Sequence, residues 1–248
     1  MTPQYIQIPL PSPSSHTLEP LTLDARLGAA LPFFRGGTLA DVGTDHAYLP
    51  IAALQRDLSH FVVATDIHRG PATIAAEHLA ANGIGEDKAV VLLTDGLHGA
   101  QEYHPADICI FGMGGEMIAH IIDEAPWVRD ASVRLILQPM TKQDVLRDYL
   151  DQSGFHIIEE RLVKTDRIYT VICAEYDGHT RSHTPLALLL GKHNLDRRDT
   201  LTLALARRHI EILTAACEGK RKAANPDLAR EDALLQALHN YLEQTTED

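Results

Sequence analysis

"LADVGTDHAYLP", residues 39–50, is the stretch on which the fold turns. Apolar residues run into Asp41 and Gly43 follows at once, the way a buried strand ends above a nucleotide in an open parallel sheet. The loop then departs from the dinucleotide pattern. Asp45 and His46 stand where a second glycine and a small residue are usual, and carboxylates there repel pyrophosphate instead of cradling it. The loop therefore predicts a cationic or hydroxyl-rich ligand without phosphates.

Outward from that loop, short apolar runs alternate with amphipathic stretches. "TLADVG" (38–43), "FVVATDI" (61–67), "AVVLLTDG" (89–96), "ADICIFGMGG" (106–115) and "VRLILQP" (133–139) read as strands. Helices are expected over 49–58, over 70–83 with Gly83 just past the end, over 117–124 and over 142–151. Near-continuous Val/Ile/Leu runs joined by helices mean a parallel sheet buried on both faces. "FHIIEERLVKTDRIYTVICAEY" (155–176) reads instead as an antiparallel hairpin with its turn at Lys164–Arg167. The expected fold is α/β: a seven-stranded, doubly wound, Rossmann-like sheet ending in that hairpin.

The flanks differ in composition. Residues 1–20 are rich in Pro and Ser and are expected to form a flexible arm, leaving residues 21–178 for the sheet. Residues 179–248 read as a C-terminal helical hairpin or coiled coil, with Leu201, Leu205, Ile212 and Ala216 on one stripe and Leu228, Leu235, Leu238 and Leu242 on the other. Gly219, a basic tip, and Asn225-Pro226 as cap and first residue of the second helix mark the turn.

Three scattered cysteines form no CxxC pair, and the histidines show no metal spacing, so neither a disulfide framework nor a metal site is expected. No run approaches the ~18 apolar residues of a membrane span, and a cytoplasmic location is expected. The net charge is −12, carried entirely by the first 178 residues, which hold twelve basic and twenty-four acidic side chains. Such a surface slows encounter with a polyanion, although a local basic patch can still bind one.

Asp41, Asp66 and Asp95 fall at the ends of three consecutive strands, with Gly43 and Gly96 beside them. One such aspartate is often a helix cap; three in succession describe a site. S-adenosylmethionine fits it, with an ammonium and a sulfonium for the first loop, a ribose diol for Asp66 and an adenine for Asp95 and Gly96. His46 reads equally as a structural cap or a base, and Arg26 as an exposed helix residue or a contact to the ligand's carboxylate.

"ADVGTDHAYLP", "FGMGGEMI", "LILQP" and "KTDRIYTVI" together resemble the bacterial tRNA (adenine-N1)-methyltransferases that act on adenosine 22, the TrmK family. The resemblance covers residues 21–176, and the helical tail resembles that family's C-terminal coiled coil. Thr44 replaces the family's serine, and the Pro-rich arm before Leu18 has no counterpart. The resemblance implies a class I methyltransferase in which Asp41, Gly43, Asp45, His46, Asp66, Ile67, Asp95, Gly96 and Gly112 hold S-adenosylmethionine. It implies tRNA as partner, and a catalytic rim made of Asp45, the Gly112–Met113–Gly114–Gly115 turn and Gln138. Lys220, Arg221 and Lys222 at the helical tip are the expected RNA contact, and a monomer is favoured. Two other readings stay open: a methyltransferase of a protein or small molecule, and a non-catalytic S-adenosylmethionine-binding module.

Overall fold

The structure, a computed structural model, describes residues 5–14, 19–221 and 227–244. In chain order the strands are β1 (Ile6–Ile8), β2 (Thr38–Val42), β3 (Phe61–Asp66), β4 (Ala89–Leu93), β5 (Asp107–Gly114), β6 (Arg134–Thr141), β7 (Phe155–Lys164) and β8 (Ile168–Tyr176). The helices are α1 (Ala25–Gly28), α2 (Tyr48–Gln55), α3 (Arg69–Ala81), α4 (Gly115–Asp123), α5 (Gln143–Gln152), α6 (Pro185–Leu190), α7 (Lys192–Arg197), α8 (Thr200–Arg221) and α9 (Ala229–Glu243).

The strands form one sheet in the order β1-β4-β3-β2-β5-β6-β8-β7. Five of them, β4-β3-β2-β5-β6, are parallel. The chain winds outward one way through β3 and β4 and the other way through β5 and β6, so the order reverses between β2 and β5. A ligand crevice is expected at that switch point, beyond the strand C-termini. Alternation along each strand feeds two cores. Ala40, Val42, Ile108 and Ile110 face α4 and α5, while Leu39, Cys109 and Phe111 face the side packed by α2 and α3. Helix α3 ends as its sequence predicts: Ala72, Ala75, Ala76 and Leu79 are buried, and Gly83 follows with φ +73°.

Two expectations are corrected. The sheet has eight strands, because part of the stretch read as a loose arm forms β1, antiparallel to β4 with Gln7 opposite Leu92. Ile8 is buried there, the Tyr5 hydroxyl donates to Glu102 at 2.5 Å, and Ser14 N–H donates to the Ala80 carbonyl. The stripe on α8 is also only partly the expected one, since Leu205 joins the helical cluster but Ala216 is exposed. Thr202, Ala206 and Cys217 are buried and Ile210 and Leu213 pack with Leu238 and Tyr241 of α9, whereas Ile212 is exposed. The expected cap at Asn225-Pro226 lies outside the described residues.

The C-terminal helices are held to the sheet by a buried ion pair. Arg147 Nε of α5 donates to Glu160 Oε1 of β7 at 2.7 Å, both side chains almost fully buried, and Arg147 Nη1 donates to the carbonyls of Leu188 and Leu189. Around them Arg197 Nη2 donates to the Glu160 carbonyl, and the His183 ring lies 2.5 Å from the buried Asp151 carboxylate. Gly191, between α6 and α7, has φ +89°, and a Cβ there would run into the Glu160 carboxylate. Losing one partner strands a buried charge, at a cost of about 3–5 kcal/mol. Glu160→Ala and Gly191→Ala are therefore both expected to lower the melting temperature, by roughly 10 °C for a chain of this size. Unchanged thermal unfolding in either variant would show that the junction is not held this way.

Candidate active site

The three acid-bearing strand ends are tied together through Thr65, a residue to which the sequence pattern alone assigns no role. The Gly43 and Thr44 N–H groups both donate to the Thr65 carbonyl, at 2.8 and 3.0 Å. The fully buried Thr65 hydroxyl donates to the Gly96 carbonyl at 2.8 Å, and Thr94 N–H donates to the Asp66 carbonyl at 2.9 Å. The loops after β2, β3 and β4 are thus one bonded unit at the switch point. The available signal was a β-branched hydroxyl residue next to the strand-ending acid in "ATDI".

Along this unit the carboxylates differ in environment. Asp41 is buried in the floor of the first cleft; burial pushes its carboxyl up to about 6, opposed by the nearby Thr44 hydroxyl and reinforced by Asp66. Asp66 is buried at the end of β3, its Oδ1 accepting from His68 N–H at 2.8 Å, and Ile67 beside it is 57% exposed. Asp95 and Gly96 line a second cleft with His98, His120 and Trp127, and each cleft encloses about 420 Å³. Asp45 is exposed on the rim of the first cleft with φ +47°, and Ala47 follows with φ +53°. Two non-glycine residues in the left-handed region within one loop store backbone strain, as binding loops often do.

His46 lines the same cleft and lies 3.6 Å from the Asp45 carboxylate through Nε2. Its ring stacks on Tyr48 and tilts against His78, each at 5.3 Å, so it forms an aromatic wall instead of capping a helix. Among the described residues no group of three or more His, Cys, Asp or Glu is arranged to hold a metal ion.

The Gly112–Gly115 segment is not a free turn. Gly112, Met113 and Gly114 prolong β5, whose register against β6 shifts on both sides of Met113, and Gly115 begins α4. Gly112 takes φ +81°, the bulge that bends the strand over the cleft. The Met113 methyl packs over Gly43 and closes the space a side chain there would need. Gln138 is also placed differently from the expectation. It is fully buried and does not line the cleft; its Oε1 accepts from Arg26 Nη1 at 2.8 Å, and its Nε2 donates to the Pro139 carbonyl at 3.0 Å. Gln138 therefore holds Arg26, which lines the cleft beside Gly112.

The helical tip lies on a different part of the chain. Lys220 pairs with Glu231, and Arg221 Nη2 lies 3.7 Å from Asp232, so both cations are matched across the α8–α9 hairpin. Lys222 lies outside the described residues.

Comparison with known proteins agrees with this architecture. A methyltransferase-domain family model matches residues 23–172. The chain is 30% identical over 173 residues to a tRNA (adenine(22)-N(1))-methyltransferase of Bacillus subtilis, covering 69% of this chain and 72% of the relative. It superposes on a Streptococcus agalactiae protein of the NADB-Rossmann superfamily with a TM-score of 0.82 at 28% identity, over 90% of this chain and 98% of that one. It also superposes on a putative tRNA (m1A22) methyltransferase of Streptococcus pneumoniae in complex with S-adenosyl-L-methionine, with a TM-score of 0.78 at 28% identity, over 89% of this chain and 100% of that one.

The buried Asp41 has a consequence for stability. Its carboxyl titrates near 6 when folded and at 3.8 when free, so the folded state binds the proton more tightly. The associated stability is present below about pH 4 and is lost as pH rises through 6, a change of about 3 kcal/mol. Asp41→Asn is expected to be more stable than the wild type by about 2–3 kcal/mol at pH 7.5, with the advantage vanishing near pH 4. Denaturant unfolding across that range checks it, and a difference independent of pH would refute it.

Proposed function

This chain belongs to the TrmK family of tRNA (adenine(22)-N1)-methyltransferases, and we propose from that premise that it transfers a methyl group to ring nitrogen 1 of adenosine 22 in tRNA. The observation that carries the reading is the Thr65-bonded unit presenting Asp41, Asp66 and Asp95 at the switch point, next to the bulged Gly112–Gly115 segment.

The residues fit S-adenosylmethionine. Asp41 is a buried carboxylate that forms no ion pair among the described residues, and an ammonium or sulfonium in the cleft it lines would match it. Asp41, Gly43, Asp45 and His46 would hold the methionine part, Asp66 and Ile67 the ribose, and Asp95 and Gly96 the adenine, with Gly112 flanking the methyl. When bound, the cofactor supplies an electrophilic methyl group on sulfur.

The chain's own contribution is mostly orientation. Ring nitrogen 1 of adenine already carries a lone pair, so no strong base is required, and alignment in a fixed geometry supplies the larger share of the rate. The bulged strand at Gly112, Met113 and Gly114, running into Gly115, offers backbone carbonyls and open space for the base. Asp45, an exposed carboxylate on the rim, would stabilise the positive charge or the amino proton of the methylated ring. Gln138 acts through Arg26. Extruding the base costs a few kcal/mol of unstacking.

In this reading residues 21–178 form the catalytic part, and residues 179–248 extend its reach along tRNA, with Lys220, Arg221 and Lys222 as a distal phosphate contact. Exposed surface pairs contribute about 0–1 kcal/mol, so Lys220 and Arg221 can exchange their acidic partners for phosphate. The protein would act as a monomer in the cytoplasm. Among the described residues no helix is long and apolar enough to cross a membrane.

Incubated with S-adenosylmethionine and an unmodified tRNA bearing adenosine at position 22, the protein is expected to produce 1-methyladenosine, and guanosine at 22 should abolish it. Nucleoside mass spectrometry checks this; methylation of both transcripts at another nucleotide would overturn the position. Asp66→Ala is expected to weaken cofactor binding by about 1.5–3 kcal/mol through the loss of charge-assisted hydrogen bonds. Calorimetry with unchanged affinity in a folded variant would remove Asp66 from the site.

A further inference from the structure

The catalytic side of the sheet carries a group of cations that the methyl-transfer site does not use. β6 and β8 run antiparallel, with Leu137 opposite Ile172. The end of β6 that bears Pro139 and Met140 therefore lies beside the start of β8. The β7–β8 turn, residues 165–167, accordingly rises on the same side of the sheet as the loops that follow β2 and β5. Arg167 Nη2 lies 3.7 Å from Met140 Sδ, and its guanidinium sits over the Tyr169 ring at 4.8 Å from the centroid. Arg26, held by Gln138, approaches the same ring at 5.8 Å. The Tyr169 hydroxyl donates to Asp166 at 3.0 Å, which fixes the ring that both cations share. Lys164 ends β7, and Lys142 caps α5 at the neighbouring strand end; both are exposed.

Two features separate this cluster from an ordinary solvated surface. Among the described residues none of Lys142, Lys164 and Arg167 forms an ion pair with a carboxylate, in contrast to Lys220 and Arg221 at the helical tip. Two guanidinium groups over one ring also repel each other, and an anion between them relieves that repulsion. Phosphate does so with the fork geometry that arginine favours. The nearby acids are Asp166, which accepts from Thr165 and Tyr169, Asp24, 3.9 Å from Arg26, and Glu116 and Asp144 in the first turns of α4 and α5; none of them pairs with Lys142, Lys164 or Arg167 among the described residues.

We propose that Lys142 before α5, Lys164 at the end of β7 and Arg167 in the β7–β8 turn, all at the strand-end side of the sheet that carries the cleft, hold the backbone phosphates of the RNA strand flanking the target nucleotide. This deepens the tRNA reading and rests on it. The cleft is acidic, with Asp41 in its floor and Asp45 on its near rim, so the backbone must be held away from both while only the base enters. The β7–β8 turn supplies cations at that rim, and the helical tip is a separate, distal contact.

The test compares wild type, a Lys142→Ala/Lys164→Ala/Arg167→Ala variant and a Lys220→Ala/Arg221→Ala variant. Binding of an unmodified tRNA transcript is measured across a potassium chloride series, with calorimetry of S-adenosylhomocysteine as the control for the fold and cofactor site. The rim variant is expected to flatten the slope of log K against log[salt] by roughly 0.7–0.9 for each phosphate it no longer neutralises. It should also raise the KM for tRNA about tenfold or more, with cofactor affinity retained. A wild-type slope and KM in a rim variant that still binds S-adenosylhomocysteine would overturn the proposal, as would a slope change confined to the helical-tip variant. Because the slope comes from binding alone, a wild-type protein that held tRNA without methylating it would count against methyl transfer and not against this rim.

Discussion

Thr65 carries more of this architecture than any acid around it. Its carbonyl takes two N–H groups from the loop after β2, and its hydroxyl reaches the loop after β4. The polar backbone of three loops is thereby satisfied inside the protein, where an unpaired group would cost about 1–3 kcal/mol. Without that bonding the left-handed Asp45 and Ala47 would have little to hold them, because a strained backbone persists only where its surroundings over-determine it. The side chains of Asp41, Asp66 and Asp95 are then left for the proposed ligand, since they are not needed to hold their own loops together. Asp66 commits one oxygen locally, to His68 N–H.

The Arg147–Glu160 pair plays the equivalent part between the sheet and the C-terminal helices. It joins α5 to β7 directly and reaches the end of α6 through two carbonyls. A hydrophobic contact of similar area would have held the helices equally well, and buried ion pairs are weak sources of net stability. What the pair adds is direction. A guanidinium fork that must meet one carboxylate and two carbonyls at once tolerates little rotation, so the helical hairpin leaves the sheet at a defined angle. A hairpin proposed to extend the binding surface beyond the cleft would need that definition.

Much of the parallel sheet was legible because its strands are apolar runs, closed by Asp or Gly in β2 to β5 and by Gln138-Pro139 in β6, and runs of that kind fit little else. The strand β1 was not. Ile6-Gln7-Ile8 is only three residues, closed by Pro9, and the burial of Ile8 alone has meaning only once the β4 edge is there to receive it. On α8, Leu201, Leu203, Leu205, Ile210, Ile212 and Leu213 allow more than one apolar stripe, and packing against α6 and α9 selected the face bearing Ala206 and Leu213. Within the site, the strand-ending acids and glycines were visible in the sequence. The Arg26–Gln138 bond was not, because it spans 112 residues and Arg26 sits in no recognisable motif. Residue type placed Gln138 at the rim; its burial and the engagement of both ends of its amide place it behind the rim.

The acidity of the first 178 residues and an RNA substrate are compatible for a chemical reason. The group that must enter the cleft is a nucleobase, which is neutral, and the ligand proposed beneath it is cationic at sulfur and nitrogen. Carboxylates on the floor favour that cation and are nearly indifferent to adenine before the methyl arrives. After transfer the ring carries the positive charge, so the same carboxylates favour the product side of the reaction. The polyanionic backbone has to stay outside, more than a few ångströms from Asp41, and at physiological salt a Debye length of about 8 Å screens most of the repulsion beyond that. A net charge of −12 therefore slows the encounter but does not oppose the docked state, provided that cations stand where the backbone passes. Lys142, Lys164 and Arg167 stand on that side of the sheet, exposed and free of carboxylate partners among the described residues.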